Sequence, residues 1–118
     1  MPVSPEELAR TLLRRASARR SADDRDRAAC LAEVARVVPS LRRELGFGRA
    51  WLIGSLAWGG FGTRSDVDVV IEGAKLDDAH VVSDKLGEAT GRSVDVLLLE
   101  TLPPAFQRRV LSEGRNVA

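Results

Sequence analysis

Residues 54–68 read GSLAWGGFGTRSDVD, and this stretch decides the fold. It joins a Gly-Ser turn, Gly54 and Ser55, to two aspartates one residue apart, Asp66 and Asp68. A turn of this kind offers backbone N–H groups and a hydroxyl, the donors that phosphate oxygens need. Side chains alternate along a strand, so Asp66 and Asp68 share one face while Val67, Val69 and Ile71 share the other. Carboxylates left unpaired on a buried strand are costly, and a divalent cation removes their repulsion. Aspartate supplies the hard oxygen ligands that Mg²⁺ takes. A triphosphate and its metal ions are the ligands implied by the two halves together. The plain alternative for the aspartates is a solvated strand end closed by an Asx turn.

Asp95 repeats the feature further along, between Val94 and Val96. If its strand neighbours the first, three carboxylates converge. Three such groups suit a two-metal site for in-line phosphoryl or nucleotidyl transfer. Asp95 would then also receive or steer the proton of an attacking hydroxyl. A solvated position on a strand is the alternative for Asp95 taken alone.

The flanking sequence places these residues on strands. Residues 50–53 form a short apolar strand, 66–72 a second and 93–99 a third. Asp77 or Asp78 opens a helix carrying Ala79, Val82, Leu86 and Ala89, closed at Gly91. Pro103 and Pro104 start a last helix with Phe106, Val110 and Leu111 inside. Ahead of them, residues 4–20 read as a helix capped by Ser4, with Leu8, Leu12 and Ala16 in line. The cluster SADDRDR marks a turn or a new helix start. Leu31, Val34, Val38, Leu41 and Leu45 resume the helical spacing, with a kink or break expected at Pro39. Gly46 and Gly48 end the helical region. Strands alternating with helices predict an α/β (α+β) domain, one small mixed sheet covered by helices.

Composition bounds the rest. At 118 residues the chain is one domain, and 44% hydrophobic with 30% charged residues is a globular balance. A net charge of +1 gives no strong nucleic-acid signal. Lys75 and Lys85 are the only lysines; arginine carries the rest of the positive charge. That suits an anionic ligand or charged partner, and equally a compositional bias of the genome. Cys30 is the only cysteine, so an internal disulfide and a thiolate metal cluster are excluded and a cytoplasmic setting is the default. No apolar run has membrane-spanning length. His80, the only histidine, reads as an exposed helix residue. Trp51 reads as core. Trp58 and Phe61 flank the turn and either stack on a base or pack. Arg108 and Arg109 are expected to face solvent. The run Gly59, Gly60, Phe61, Gly62 suggests a loop that closes on its ligand.

Gly54, Ser55, Ala57 and Gly59, followed by Ser65-Asp66-Val67-Asp68, match the GSxAxG…SDxD pattern. In this the chain resembles the DNA polymerase β-like nucleotidyltransferases, over about residues 41–117. The spacing is similar to that of the minimal nucleotidyltransferases, a branch that includes antitoxins paired with HEPN-type toxins. The resemblance implies the nucleotidyltransferase fold, with residues 1–40 as an added helical extension and 41–118 as the catalytic core. That extension is either a partner-docking or dimer element, or a cover for the core. The resemblance also implies that Gly54 and Ser55 grip the β and γ phosphates, with Ser65 in the same ligand-binding signature, and that Gly59 permits close backbone approach. Asp66, Asp68 and Asp95 are the implied metal ligands. The implied reaction is transfer of AMP from ATP, with Mg²⁺ in a two-ion site, to a hydroxyl acceptor. In the toxin-paired branch that acceptor lies on the partner protein. The chain departs from the pattern at Trp58, where relatives often carry arginine, and Arg64 is a candidate substitute for the lost phosphate contact.

Three functions are therefore open: a protein-modifying enzyme, a homodimeric transferase acting on a small molecule such as an aminoglycoside, or a binding module that neutralises a partner by contact. A partner modified with AMP identifies the first, a modified antibiotic the second, and neutralisation that survives Asp66→Asn the third.

Overall fold

The computed structural model describes residues 4–62 and 64–118, without the side chains of Ser17, Arg19, Arg20 and Ser21. Helix α1 spans Pro5–Leu45, a single run of 41 residues. Ser4 caps it by accepting the Glu7 N–H at 3.2 Å, and Gly46 ends it in the left-handed conformation, φ 79°. Neither the turn expected at 21–27 nor a break at Pro39 interrupts it. Residues 21–27 contain no glycine or proline, and aspartate in a helix costs at most about 0.7 kcal/mol. Proline costs about 3 kcal/mol. The helix nevertheless passes through Pro39, because Val34, Val38 and Leu41 on either side are buried. Each such burial contributes about 1.5–3 kcal/mol, which outweighs the proline.

The remaining elements are β1 (Ala50–Ile53), α2 (Gly54–Trp58), β2 (Val67–Ile71), α3 (Leu76–Thr90), β3 (Val94–Leu98), a 3₁₀ turn (Leu99–Thr101), α4 (Pro104–Glu113) and β4 (Arg115–Asn116). The sheet order is β3-β2-β1-β4. β2 and β3 run parallel, and the other pairings are antiparallel. The mixed sheet covered by helices is as expected. The one-turn helix α2 and the two-residue strand β4 were not legible, because neither is long enough to show a period.

Hydrophobic alternation divides the core into two layers. Val67, Val69 and Ile71 point to the layer made with α1 and α3, where Val34, Val38, Val82 and Leu86 are buried. Val70 points to the other, with Trp51, Ile53, Leu99 and Val110. Asp68 shares the Val70 face, and Asp95 shares the corresponding face of β3. Leu111, expected inside, is exposed. The core on α1 begins at Cys30, and Leu8, Leu12 and Leu13 nearer the start are each more than half exposed. A helix of this length measures about 60 Å, and the molecule extends 64 × 30 × 17 Å. The first half of α1 therefore projects from the body. No helix among the described residues is long and apolar enough to cross a membrane.

Candidate active site

The adjacency that the sequence left conditional is present. β2 and β3 pair in parallel, with Asp68 directly opposite Asp95. Asp66 enters from the residue just before β2. Burial pushes the Asp68 carboxyl above its ordinary value, and the neighbouring carboxylates of Asp95 and then Asp66 push it further. Asp68 is half-buried while Asp66 and Asp95 are exposed, so the group opens outward. Among the described residues no three acidic, imidazole or thiol groups are placed so as to hold a metal ion as they stand. The donor set nevertheless suits a hard divalent cation. Three oxygen-bearing groups lie near one another, and the most enclosed of them resists ionising without a counter-charge.

Gly54 follows β1 directly and adopts φ 71°. Ile53, the residue before it, pairs with Asp68 across β1 and β2. A Cβ on Gly54 would strike Oδ2 of Asp68. Glycine is needed here for backbone freedom and also for space. The Gly-Ser turn and the central carboxylate are therefore in contact. Ser55 lies half-buried in the first turn of α2, and Gly59 ends that helix at φ 110° with open space where a side chain would be.

Ser65 has a structural task. Its hydroxyl accepts the Gly62 N–H at 2.9 Å, and its own N–H donates to the Gly62 carbonyl at 3.1 Å. These bonds close the turn that delivers Asp66. Thr63 lies outside the described residues. Phe61 is buried, so it packs rather than offering a face to a base.

Trp58 also packs. Its indole N–H donates to the Glu113 carbonyl at 2.8 Å, and the Arg109 guanidinium lies 4.5 Å from the ring centroid. Arg109 is fixed in turn by Glu113 at 2.9 Å. Arg109 is exposed, as expected, and also lies over Trp58. The aromatic ring recruits it through cation–π attraction. Arg108, Arg64 and His80 are exposed, as expected for Arg108 and His80.

Arg92 escaped the sequence reading. Its Nη1 donates to the carbonyls of Gly62 and Ser65, both at 2.9 Å, and its guanidinium stacks 4.2 Å from the Phe61 centroid. No local pattern announces contacts that span 27 and 30 residues. Cys30 is buried, which pushes its thiol pKa up, while the nearby Arg92 charge pulls it down.

The comparisons with known proteins agree with this geometry. The family model described as "Polymerase beta, Nucleotidyltransferase" matches residues 38–118. A protein of Methanocaldococcus jannaschii that bears the provisional name of a protein adenylyltransferase is 32% identical over 85 residues, covering 70% of this chain and 90% of that protein. A structure described provisionally as a minimal nucleotidyltransferase matches with a TM-score of 0.62 and 29% identity, over 71% of this chain and 89% of that one. Two toxin–antitoxin structures share the fold. One, solved with AMP-PNP, has a TM-score of 0.60 and 20% identity, with 71% of this chain and 72% of that chain covered. The other is the tri-AMPylated Shewanella oneidensis HEPN toxin in complex with its MNT antitoxin, with a TM-score of 0.53, 18% identity and coverage of 72% and 69%. The chain belongs to the polymerase beta nucleotidyltransferase family.

Proposed function

We propose that this nucleotidyltransferase moves AMP from ATP to a hydroxyl of a partner protein, using Mg²⁺ held by Asp66, Asp68 and Asp95. The observation that carries the reading is the Asp68–Asp95 register, with a carboxyl at its centre that burial, and then the charges of Asp95 and Asp66, hold above its ordinary value. Mg²⁺ bound there would lower the pKa of the acceptor hydroxyl and offset charge on the triphosphate. Gly54 and Ser55 would hold the β and γ phosphates through backbone N–H groups and the serine hydroxyl. The open space at Gly59 admits the ligand close to the backbone. Ser65 keeps the turn before Asp66 closed. The acceptor oxygen attacks the α-phosphorus, the bond to the leaving pyrophosphate breaks, and Asp95, exposed to solvent, takes the acceptor proton.

The name of the archaeal relative and the AMPylated toxin among the structural neighbours favour a protein acceptor, a HEPN-type toxin for which this chain would be the antitoxin. Residues 41–118 form the catalytic core in this reading, and the stretch before them has two parts. The buried half of α1 covers the core, and the projecting half, with Leu8, Leu12 and Leu13 exposed, is the docking element. A cytoplasmic setting belongs to the same proposal. The test mixes the protein with ATP, Mg²⁺ and a HEPN-type partner that binds it, then weighs the partner by intact-mass spectrometry. One or more added AMP groups are expected, and none with Asp66→Asn. A bound partner that stays unmodified refutes transfer to that protein and favours neutralisation by contact.

A further inference from the structure

The turn that delivers Asp66 is held from outside as well as from within. Its internal closure is the reciprocal pair between Gly62 and Ser65. Among the described contacts, a side chain from outside the turn holds it as well. Arg92, in the connection between α3 and β3, places Nη1 against both turn carbonyls at 2.9 Å. The guanidinium lies over the ring of Phe61, the buried residue just before the turn. Arg92 is itself braced. Its backbone N–H donates to the Thr90 hydroxyl at 3.3 Å, and that hydroxyl donates to the Leu86 carbonyl at 2.7 Å. One residue later the Ser93 carbonyl accepts the Val67 N–H at 2.9 Å, tying the same connection to the start of β2. The backbone on both sides of Asp66 is thus fastened to residues 92 and 93.

We propose that Arg92 is a positioning residue for Asp66. The inference rests on the reading of Asp66 as a metal ligand. Asp66 lies outside the strand ladder and is exposed, so neither packing nor sheet bonding fixes its carboxylate. Its place beside Asp68 and Asp95 depends on the turn closed between Gly62 and Ser65. A planar guanidinium can donate to two carbonyls and stack on a ring in one arrangement, and an ammonium cannot reproduce the stack. Arg92 acts through the peptide of Ser65 and touches no substrate.

The full chain carrying Arg92→Lys or Arg92→Met tests this, with two readouts that need no turnover. Mn²⁺ titration followed by electron paramagnetic resonance reports metal affinity. Amide hydrogen exchange reports the turn through Ser65 and the sheet through Leu52. In the methionine variant, Mn²⁺ affinity is expected to fall about 10–100-fold, the usual cost of removing support from a metal ligand. The lysine variant falls between it and the wild type. Exchange at Ser65 quickens while Leu52 keeps its protection. Unchanged Mn²⁺ affinity in both variants overturns the positioning role, and so does an equal loss of protection at Ser65 and Leu52, which marks Arg92 as a general stabiliser. A wild type that binds no Mn²⁺ refutes the metal reading itself and removes this inference with it, an outcome distinct from a binding wild type matched by its variants.

Discussion

Replacing Asp68 with asparagine is expected to stabilise the metal-free protein while disabling its site. The Asp68 carboxyl is raised by burial and by two neighbouring carboxylates. A carboxyl raised in the folded state favours folding while protonated, and that benefit is lost as pH rises through its folded pKa. At neutral pH the metal-free wild type therefore carries a repulsive cost. Neighbouring strands lie about 4.8 Å apart, and at about 5 Å two like charges in water repel by about 0.8 kcal/mol. Half-burial of Asp68 strengthens this, whereas exposure of Asp66 and Asp95 screens it. A net cost of about 1 kcal/mol follows, the upper end for like charges opposed across strands. For 118 residues the unfolding entropy is about 0.25 kcal/mol per kelvin, so Asp68→Asn should raise the unfolding midpoint by about 4 °C. Scanning calorimetry at pH 7 with EDTA measures it. The gap should shrink as pH falls below the carboxylate range. Added Mg²⁺ should raise the wild-type midpoint more than that of the variant. A variant that is less stable in EDTA, or a gap independent of pH, refutes the reasoning, because the carboxylates would then not be in repulsive contact.

Gly54→Ala is expected to cost about 1–3 kcal/mol, since φ 71° disfavours any Cβ and the new methyl meets Asp68. Urea denaturation reads that loss, and Mn²⁺ affinity should fall with it. Trp58→Phe keeps an aromatic ring under Arg109 but removes the bond to the Glu113 carbonyl, a loss of about 1 kcal/mol by the same assay. Glu72, whose pKa is lowered chiefly by its hydrogen bond to Arg49, stabilises the fold above its unfolded pKa and loses that effect as pH falls through the folded value. The midpoint difference between wild type and Glu72→Gln should therefore be present at pH 7 and vanish in strong acid. Leu8→Glu with Leu12→Glu should leave the midpoint unchanged, because both leucines are already exposed, and should weaken partner binding measured by calorimetry.

The legible part of this chain was local. Val67-Asp68-Val69 announces a strand with a carboxylate face through its period of two, and Asp95 between two valines does the same. Gly54 could be read as a turn residue, and the structure adds that it must be glycine because Asp68 presses on it. Single-residue signals misled where burial decided. The pattern at 21–27 and Pro39 both suggest breaks, yet α1 is continuous: 21–27 holds no glycine or proline, and the turn around Pro39 lies against α3 and the sheet. Propensities of a few kcal/mol yield to three buried aliphatic side chains.

What the sequence could not supply was long-range support. Trp58 was legible as a departure from a pattern, and nothing near it foretold Glu113, 55 residues away. Arg92 follows a helix-ending glycine and looks like any solvated turn residue, yet it holds the peptide that leads into Asp66. The residues that would meet the ligand are thus written in one short stretch and one valine-flanked aspartate. The residues that hold them come from the α3–β3 connection and from α4. A substitution at Arg92 should therefore disturb metal binding without altering any residue of the GSxAxG…SDxD pattern, so an intact pattern is not sufficient grounds to infer a working site.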